Sequence, residues 1–350
     1  MGFNQREIRV LLRRLVCFTV LACMWLFTIT NRAVAAEIEP IPVILDTDMG
    51  NDIDDVFAMG ILHALHSRGE CKIVAVTVSK NHPLSGPFCD VLNTFYGRAD
   101  IPIGVLQTGT TSGDGPYLAQ VMKPLANGSP VFAHRLQTSN DAPNAVAVLR
   151  RGLAGLQDAS AVVVAIGPLT NIRDLLESRP DEHSPLHGRE LVAAKVRLLV
   201  VMAGDFSKPK AEFNIFSDSI AAAKVFNDWR GEVVVCPFEM GEWMHYPEMS
   251  LEKDFRVPER HPLLVADLAT FGGKRNGFMA WDLVAVLHAI RPDRDYFNMS
   301  KPGKIDLDSE NVTRLKEDNE GKHRYLIPRG GPERVREAIT SLASQPPSIP

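Results

Sequence analysis

The run VILDTDMGNDIDD, residues 43–55, decides the reading of this 350-residue chain. Apolar Pro42–Leu45 reads as a strand ending at Asp46, and the apolar spacing of Ile53–His66 is helical. A strand that passes through a short loop into a helix opens an α/β unit. In an open α/β sheet, ligands bind beyond the carboxyl ends of the strands. At that place stand Asp46, Asp48, Asp52, Asp54 and Asp55, five carboxylates within ten residues. Such groups repel one another unless something positive sits among them, and a hard divalent cation with oxygen ligands is the natural partner. Gly50 lets the chain turn closely around that ion. Asp54 and Asp55 open the helix, where negative charge suits the dipole.

Two common acidic motifs do not fit. Counted from Asp46, an EF-hand loop would need Gly at position 6 and Glu at position 12, where this chain has Asn51 and Phe57. A phosphatase of the haloacid dehalogenase type wants Thr or Val two places after the second Asp, and Gly50 stands there. Outward from the acidic run the chain alternates short apolar strands with helical patterns. Strands are expected at Lys72–Val78, Ile101–Leu106, Ala161–Ile166, Val196–Met202 and Glu232–Cys236. Helices are expected at Phe88–Tyr96, Asn144–Leu156, Leu169–Leu176 and Ser219–Trp229. Unbroken apolar strands between helices predict an open, mostly parallel, Rossmann-like sheet covered on both faces. After Arg291 the pattern changes. Gly303–Leu307 and His323–Ile327 read as a hairpin and Pro332–Leu342 as a terminal helix, an appendage at residues 300–343 to a single domain covering 37–350.

Composition is that of a protein with a large core, 45% apolar and 23% charged, with a net charge of −4. Residues 1–36 carry five Arg and one Glu, so the remainder stands near −8, and a basic footprint for nucleic acid is absent. Arg6, Arg9, Arg13 and Arg14, then apolar Leu15–Ile29, then Ala33-Val34-Ala35-Ala36 give the order of a secretory signal peptide, with cleavage before Ala36 or Glu37. The expected destination is secreted or periplasmic, without a stable membrane anchor after cleavage, because the apolar run is short for a span. The mature chain keeps Cys71, Cys89 and Cys236, which excludes a disulfide scaffold. Cys71 and Cys236 read as small core residues.

The opening motif resembles that of the inosine-uridine preferring nucleoside hydrolases, in which a strand leads into D-x-D-x-G-x-D-D. Here two extra residues precede the final acidic pair. Further motifs of that family follow in order between residues 42 and 291: Thr77–Asn81 (TVSKN), Ile166–Asn171 (IGPLTN), Met202-Ala203-Gly204, Ala211–Asn214 (AEFN) and Trp281-Asp282. The resemblance implies a nucleoside hydrolase fold and hydrolysis of the N-glycosidic bond of a nucleoside or related ribosyl compound. It also implies calcium held by Asp48, Asp55, Asp282 and the Ile166 carbonyl; residue type alone leaves magnesium open. Asp48 would be the general base. Substrate contacts would come from Asp54, Asn81, Met202, Glu212 (to the 5′-hydroxyl), Asn214, Trp281 and Asp282.

Help for the leaving base is the point of departure. Many family members carry a His just before the late Asp, where this chain has Trp281. Pyrimidine-preferring members carry a His in the loop that here reads Gly109–Gly115. His82 and His245 are the substitutes on offer, and Phe271, Phe278 and Trp281 could wall a base. The competing readings are hydrolysis of a different N-ribosyl substrate and a non-catalytic extracytoplasmic nucleoside- or sugar-binding protein. Homo-oligomerisation is left open.

Overall fold

In the first strand apolar side chains follow one another up to Asp46, and from Val43 onward both of its faces are buried. In the computed structural model, which describes residues 39–109, 111, 113–257 and 260–347, this strand is β1, Ile41–Thr47. Val43 and Leu45 point into one apolar core and Ile44 into another, on the opposite side of the sheet. β4 (Ala161–Ala165) repeats the alternation: Val162 and Val164 face the first core, and Ala161, Val163 and Ala165 the second. Burying each such aliphatic side chain contributes about 1.5–3 kcal/mol. The signal-like segment, residues 1–36, lies outside the described residues.

The other strands are β2 (Cys71–Val78), β3 (Ile103–Val105), β5 (Val196–Met202), β6 (Glu232–Cys236), β7 (His245–Tyr246), β8 (Phe278–Met279), β9 (Phe297–Met299), β10 (Gly303–Leu307), β11 (Thr313–Glu317) and β12 (His323–Pro328). The large sheet runs β11-β10-β12-β6-β5-β4-β1-β2-β3, with β9 paired to β12; β7 and β8 form a separate ribbon. β3, β2, β1, β4, β5, β6 and β12 run parallel in succession, and β9 and β10 pair antiparallel with β12, as β11 does with β10. Helices lie on both faces, as the unbroken apolar strands require. The chain order reverses between β1 and β4, the switch point at which such sheets open a crevice.

The C-terminal segment is part of the sheet and not an appendage. Gly303–Leu307 pairs along its length with Thr313–Glu317, and meets the expected partner strand only at Gly303–His323. β12 instead lies parallel to β6 and lengthens the central sheet. Lys and Glu on Thr313–Glu317 hid this edge strand from its sequence pattern; charged side chains suit an edge because they discourage further pairing.

Two helices position the acidic segment. Asp54–Ser67 is buried over most of its length, and Trp281–Ile290, apolar on nearly every side, packs against it. The terminal helix Glu333–Ala343 lies against Asp54–Ser67 as well. Cys71, Cys89 and Cys236 are buried and unbridged. Among the described residues no helix is long and apolar enough to cross a membrane.

Candidate active site

β1 delivers two aspartates with different surroundings. Asp46 is wholly buried within the sheet and accepts hydrogen bonds from Thr77 Oγ1 at 2.6 Å and Asn171 Nδ2 at 2.7 Å. It ties β1 to β2 and to the helix Thr170–Glu177, and burial pushes its carboxyl up to about 7. Asn171 is therefore a tie between sheet and helix. Asp48, just past the strand, lines a cavity of about 90 Å³ at the switch point. Gly50 turns the chain there with φ +118°, and an added Cβ would strike Leu118. Across the crevice Gly167 leaves room for Asp48, whose Cβ would be 2.8 Å from a side chain at that position.

The remaining acids arrive from the two packed helices. Asp54 and Asp55 open Asp54–Ser67, and Asp282 opens Trp281–Ile290. Asp282 donates its backbone N–H to Asp54 Oδ2 at 3.2 Å, which clamps the two helix starts together across 228 residues of sequence. Thr47 Oγ1 donates to Asp55, and Asn51 Nδ2 to Asp48. Each of these carboxylates is almost wholly buried. Burial and then mutual repulsion raise Asp54, Asp55 and Asp282 well above the ordinary carboxylate range. Burial pushes Asp48 up to about 7, opposed by the Asn51 hydrogen bond and by the nearby Lys80.

The same cavity is lined by Ile166, Met202, Glu212, Asn214 and Trp281. Glu212 caps the short helix Phe213–Ser217 by accepting from the backbone of Asn214 and Ile215, and it also accepts from Gly204 N at 3.0 Å. Its carboxyl is raised to about 7 by burial. Asn214 Nδ2 donates to the carbonyls of Ile166 (3.3 Å) and Met202 (3.1 Å), the first residue past β4 and the last of β5. Trp281 donates its indole N–H to Phe238 O at 2.7 Å, with the two rings 5.4 Å apart.

One expected residue is elsewhere. Asn81 is exposed and does not line the cavity; its backbone N–H bonds to Thr111 O. β2 ends at Val78, and the chain turns so that the neighbouring Lys80 is buried, its ammonium donating to Asn51 Oδ1. Sequence reasoning passed over this lysine, although a lysine directly after an apolar strand and beside an acidic loop is the signal for a built-in counter-charge. Asp52, counted only as one of the acidic run, lines the cavity too, as do Phe213 and Phe238, which the sequence did not single out. Phe238 could have been found from its place just beyond the carboxyl end of β6.

The donor set tests whether a cation belongs here. Asp48, Asp55, Asp282 and the Ile166 carbonyl offer only oxygen, and the carboxylates are buried together at a cost that a hard cation would relieve. That chemistry fits. No three His, Cys, Asp or Glu side chains among the described residues are gathered as a ready-made cage, so ligation would require side-chain adjustment.

A crevice at the β1/β4 switch point, rimmed by strand-tip and helix-start acids, defines an α/β protein of the nucleoside hydrolase fold. The sequence pattern of the inosine-uridine preferring nucleoside hydrolases matches residues 43–327, and the chain belongs to that family. Family and fold together place it among the nucleoside hydrolase-like proteins. Among curated proteins it is 31% identical over 205 residues to the pyrimidine-specific ribonucleoside hydrolase RihA of Shewanella woodyi, covering 53% of this chain and 56% of that protein. It thus spans little more than half of that relative's length. To the RihA of Shewanella sp. strain MR-4 it is 30% identical over 253 residues, covering 66% and 69%. Among solved structures, an inosine-guanosine nucleoside hydrolase superposes with a TM-score of 0.65 at 20% identity, over 86% of this chain and 98% of that one. The purine-preferring ribonucleoside hydrolase of Gardnerella vaginalis gives 0.64 at 16% identity, over 86% and 98%. These superpositions speak to the fold alone.

Proposed function

We propose that this protein hydrolyses the N-glycosidic bond of a nucleoside or related ribosyl compound, releasing ribose and the free base. The observation that carries the reading is the convergence of Asp48, Asp54, Asp55 and Asp282, from two distant segments, on one cavity at the switch point. Family membership supports the same reaction class.

N-Glycosidic cleavage passes through an oxocarbenium-like sugar, so negative charge around the ring favours the transition state. Asp48, Asp55, Asp282 and the Ile166 carbonyl would hold a calcium ion, the metal implied by the family resemblance. Bound there, the ion would supply an electrophile for water and for the sugar diol. Asp48 takes the proton of the attacking water. Its buried position makes it a stronger base once it is ionised, and Lys80 helps to keep it so. Asp54 and Asn214 orient ribose hydroxyls, which are read by paired donors and acceptors. Trp281, fixed by its bond to Phe238, walls the cavity against water.

The test is release of reducing sugar from a panel of purine and pyrimidine nucleosides, with calcium and with chelator. Turnover that needs calcium supports the reading. Saturable nucleoside binding without free ribose would replace it with that of an extracytoplasmic binding protein. We further propose secretion or periplasmic export on the strength of residues 1–36, to be checked by N-terminal sequencing of exported protein.

A further inference from the structure

A second cavity, of about 300 Å³, adjoins the acidic one and shares Asp52, Asp54 and Trp281 with it. Its other walls are of a different chemistry. Phe271, Phe278 and Met279 make it apolar, and His245 stands at its edge. Thr270 also lines it, but its hydroxyl is bonded to Ala266 O. Two cavities with one common wall suit a substrate in two parts, a polyhydroxylated ring beside the carboxylates and a flat apolar ring beside the aromatics.

The common wall is held rigidly. Trp281 is fixed by its bond to Phe238 O, and Gly241 packs so closely under the indole that an added Cβ would come within 2.1 Å of it. The backbone of His245 is fixed relative to this plate. It pairs with Met279 in the β7–β8 ribbon, and Ala280, next to Trp281, donates to Met244 O at 2.9 Å. The imidazole is exposed, and among the described residues it has no hydrogen-bond or ion-pair partner. His82 offers no such opportunity. It is buried, bonded to Asp114 at 3.3 Å, and lines neither cavity.

We infer that the second cavity seats the leaving heterocycle and that His245 is its hydrogen-bond and proton donor. The inference rests on the ribohydrolase reading and adds the missing partner for the base. In the step it completes, the bond between the anomeric carbon and the ring nitrogen breaks with its electron pair leaving on the heterocycle. The His245 imidazolium gives its proton to a nitrogen of that heterocycle. Water oxygen bonds to the anomeric carbon and its proton goes to Asp48. Exposure lets His245 recover a proton from solvent for the next cycle.

The experiment compares two leaving groups in calcium-loaded protein: nucleosides, whose bases need a proton, and 4-nitrophenyl riboside, whose phenolate does not. His245→Ala should lower the ratio of nucleoside to nitrophenyl turnover by ~100-fold, within the span of general acid catalysis. His245→Gln, which keeps a donor and most of the volume but cannot release a proton, should lower the same ratio while holding the fold. An unchanged ratio in both variants overturns the proton-donor assignment. Independently of turnover, adenine and uracil should quench tryptophan fluorescence on binding to the wild-type protein, and His245→Ala should raise their Kd about tenfold, the loss of roughly one hydrogen bond. Equal Kd values in the variant and wild-type proteins remove His245 from the seat. If wild-type protein binds free bases but cleaves neither substrate, the hydrolase reading fails while the base seat stands.

Discussion

Asp48 and Asp282 share one cavity, and they call for opposite expectations on removal of charge. Asp48→Asn keeps shape and hydrogen bonding to Asn51 but deletes the base, so kcat should fall by about 10²–10⁴-fold with an unaltered far-ultraviolet spectrum. Near-normal turnover would remove Asp48 from that role. Asp282 is held above its ordinary carboxylate value of 3.8 by burial first and by Asp54, Asp55 and Asp48 next. A carboxyl raised in the folded state binds a proton that the unfolded state gives up. Its stabilising effect is complete below the unfolded value and is lost as pH rises through the folded one. In chelator, the urea midpoint of the wild-type protein should therefore decline relative to Asp282→Asn as pH rises above the unfolded value of 3.8. The variant should be the more stable protein at pH 8 and the poorer enzyme with calcium; a variant less stable at pH 8 would show that the acids are not in conflict. At this scale the sequence exposed the acids because they stand together in one loop. It concealed Lys80, whose burial depends on a turn after β2, and it misdirected Asn81, which that same turn faces outward.

Glu212 shows how one side chain serves both an element and a site. Its two oxygens receive three backbone N–H groups, from Gly204, Asn214 and Ile215, and so join the end of β5 to the helix Phe213–Ser217. Glu212→Ala should cost about 0.5–2 kcal/mol as a lost cap, read as a lower urea midpoint. It should also raise KM more than it lowers kcat, because Asn214 loses its fixed backbone while Asp48 is untouched; an unchanged KM would confine Glu212 to capping. Elements of this kind were unevenly legible. Strands buried on both faces declare themselves as apolar runs, and Val196–Met202 and Glu232–Cys236 were readable to the residue. Short helices such as Gly188–Lys195 and Phe238–Trp243 carry too few turns for periodicity to register. Pairing is the harder quantity. His323–Pro328 is half-buried and resembles one arm of a hairpin, but its partner β6 lies some 90 residues back, and no local pattern carries that information.

At the scale of the molecule, the order of motifs along the chain conveyed the sheet, since strand tips alternating with helices admit few topologies. It did not convey that the far C-terminus supports the site. The helix Glu333–Ala343 buries Val335, Ile339, Leu342 and Ala343 and lies against Asp54–Ser67, the helix that presents Asp54 and Asp55. Arg68, just past that helix, donates to Gln345 Oε1 at 2.7 Å and fastens the same junction. β12, which precedes the terminal helix, is seated between β6 and β10 within the main sheet. An element so placed cannot be withdrawn without opening the core on one face of the sheet, so stability here should be cooperative. Leu342→Ala leaves a cavity at the junction and should cost about 2–5 kcal/mol. In a calorimetric scan this appears as a single transition moved down by on the order of 5–10 °C, with base-line kcat retained at temperatures below it. Two resolved transitions, the smaller one abolished by the substitution, would show instead that residues 300–343 fold as a separate unit and that the acidic helix stands without them.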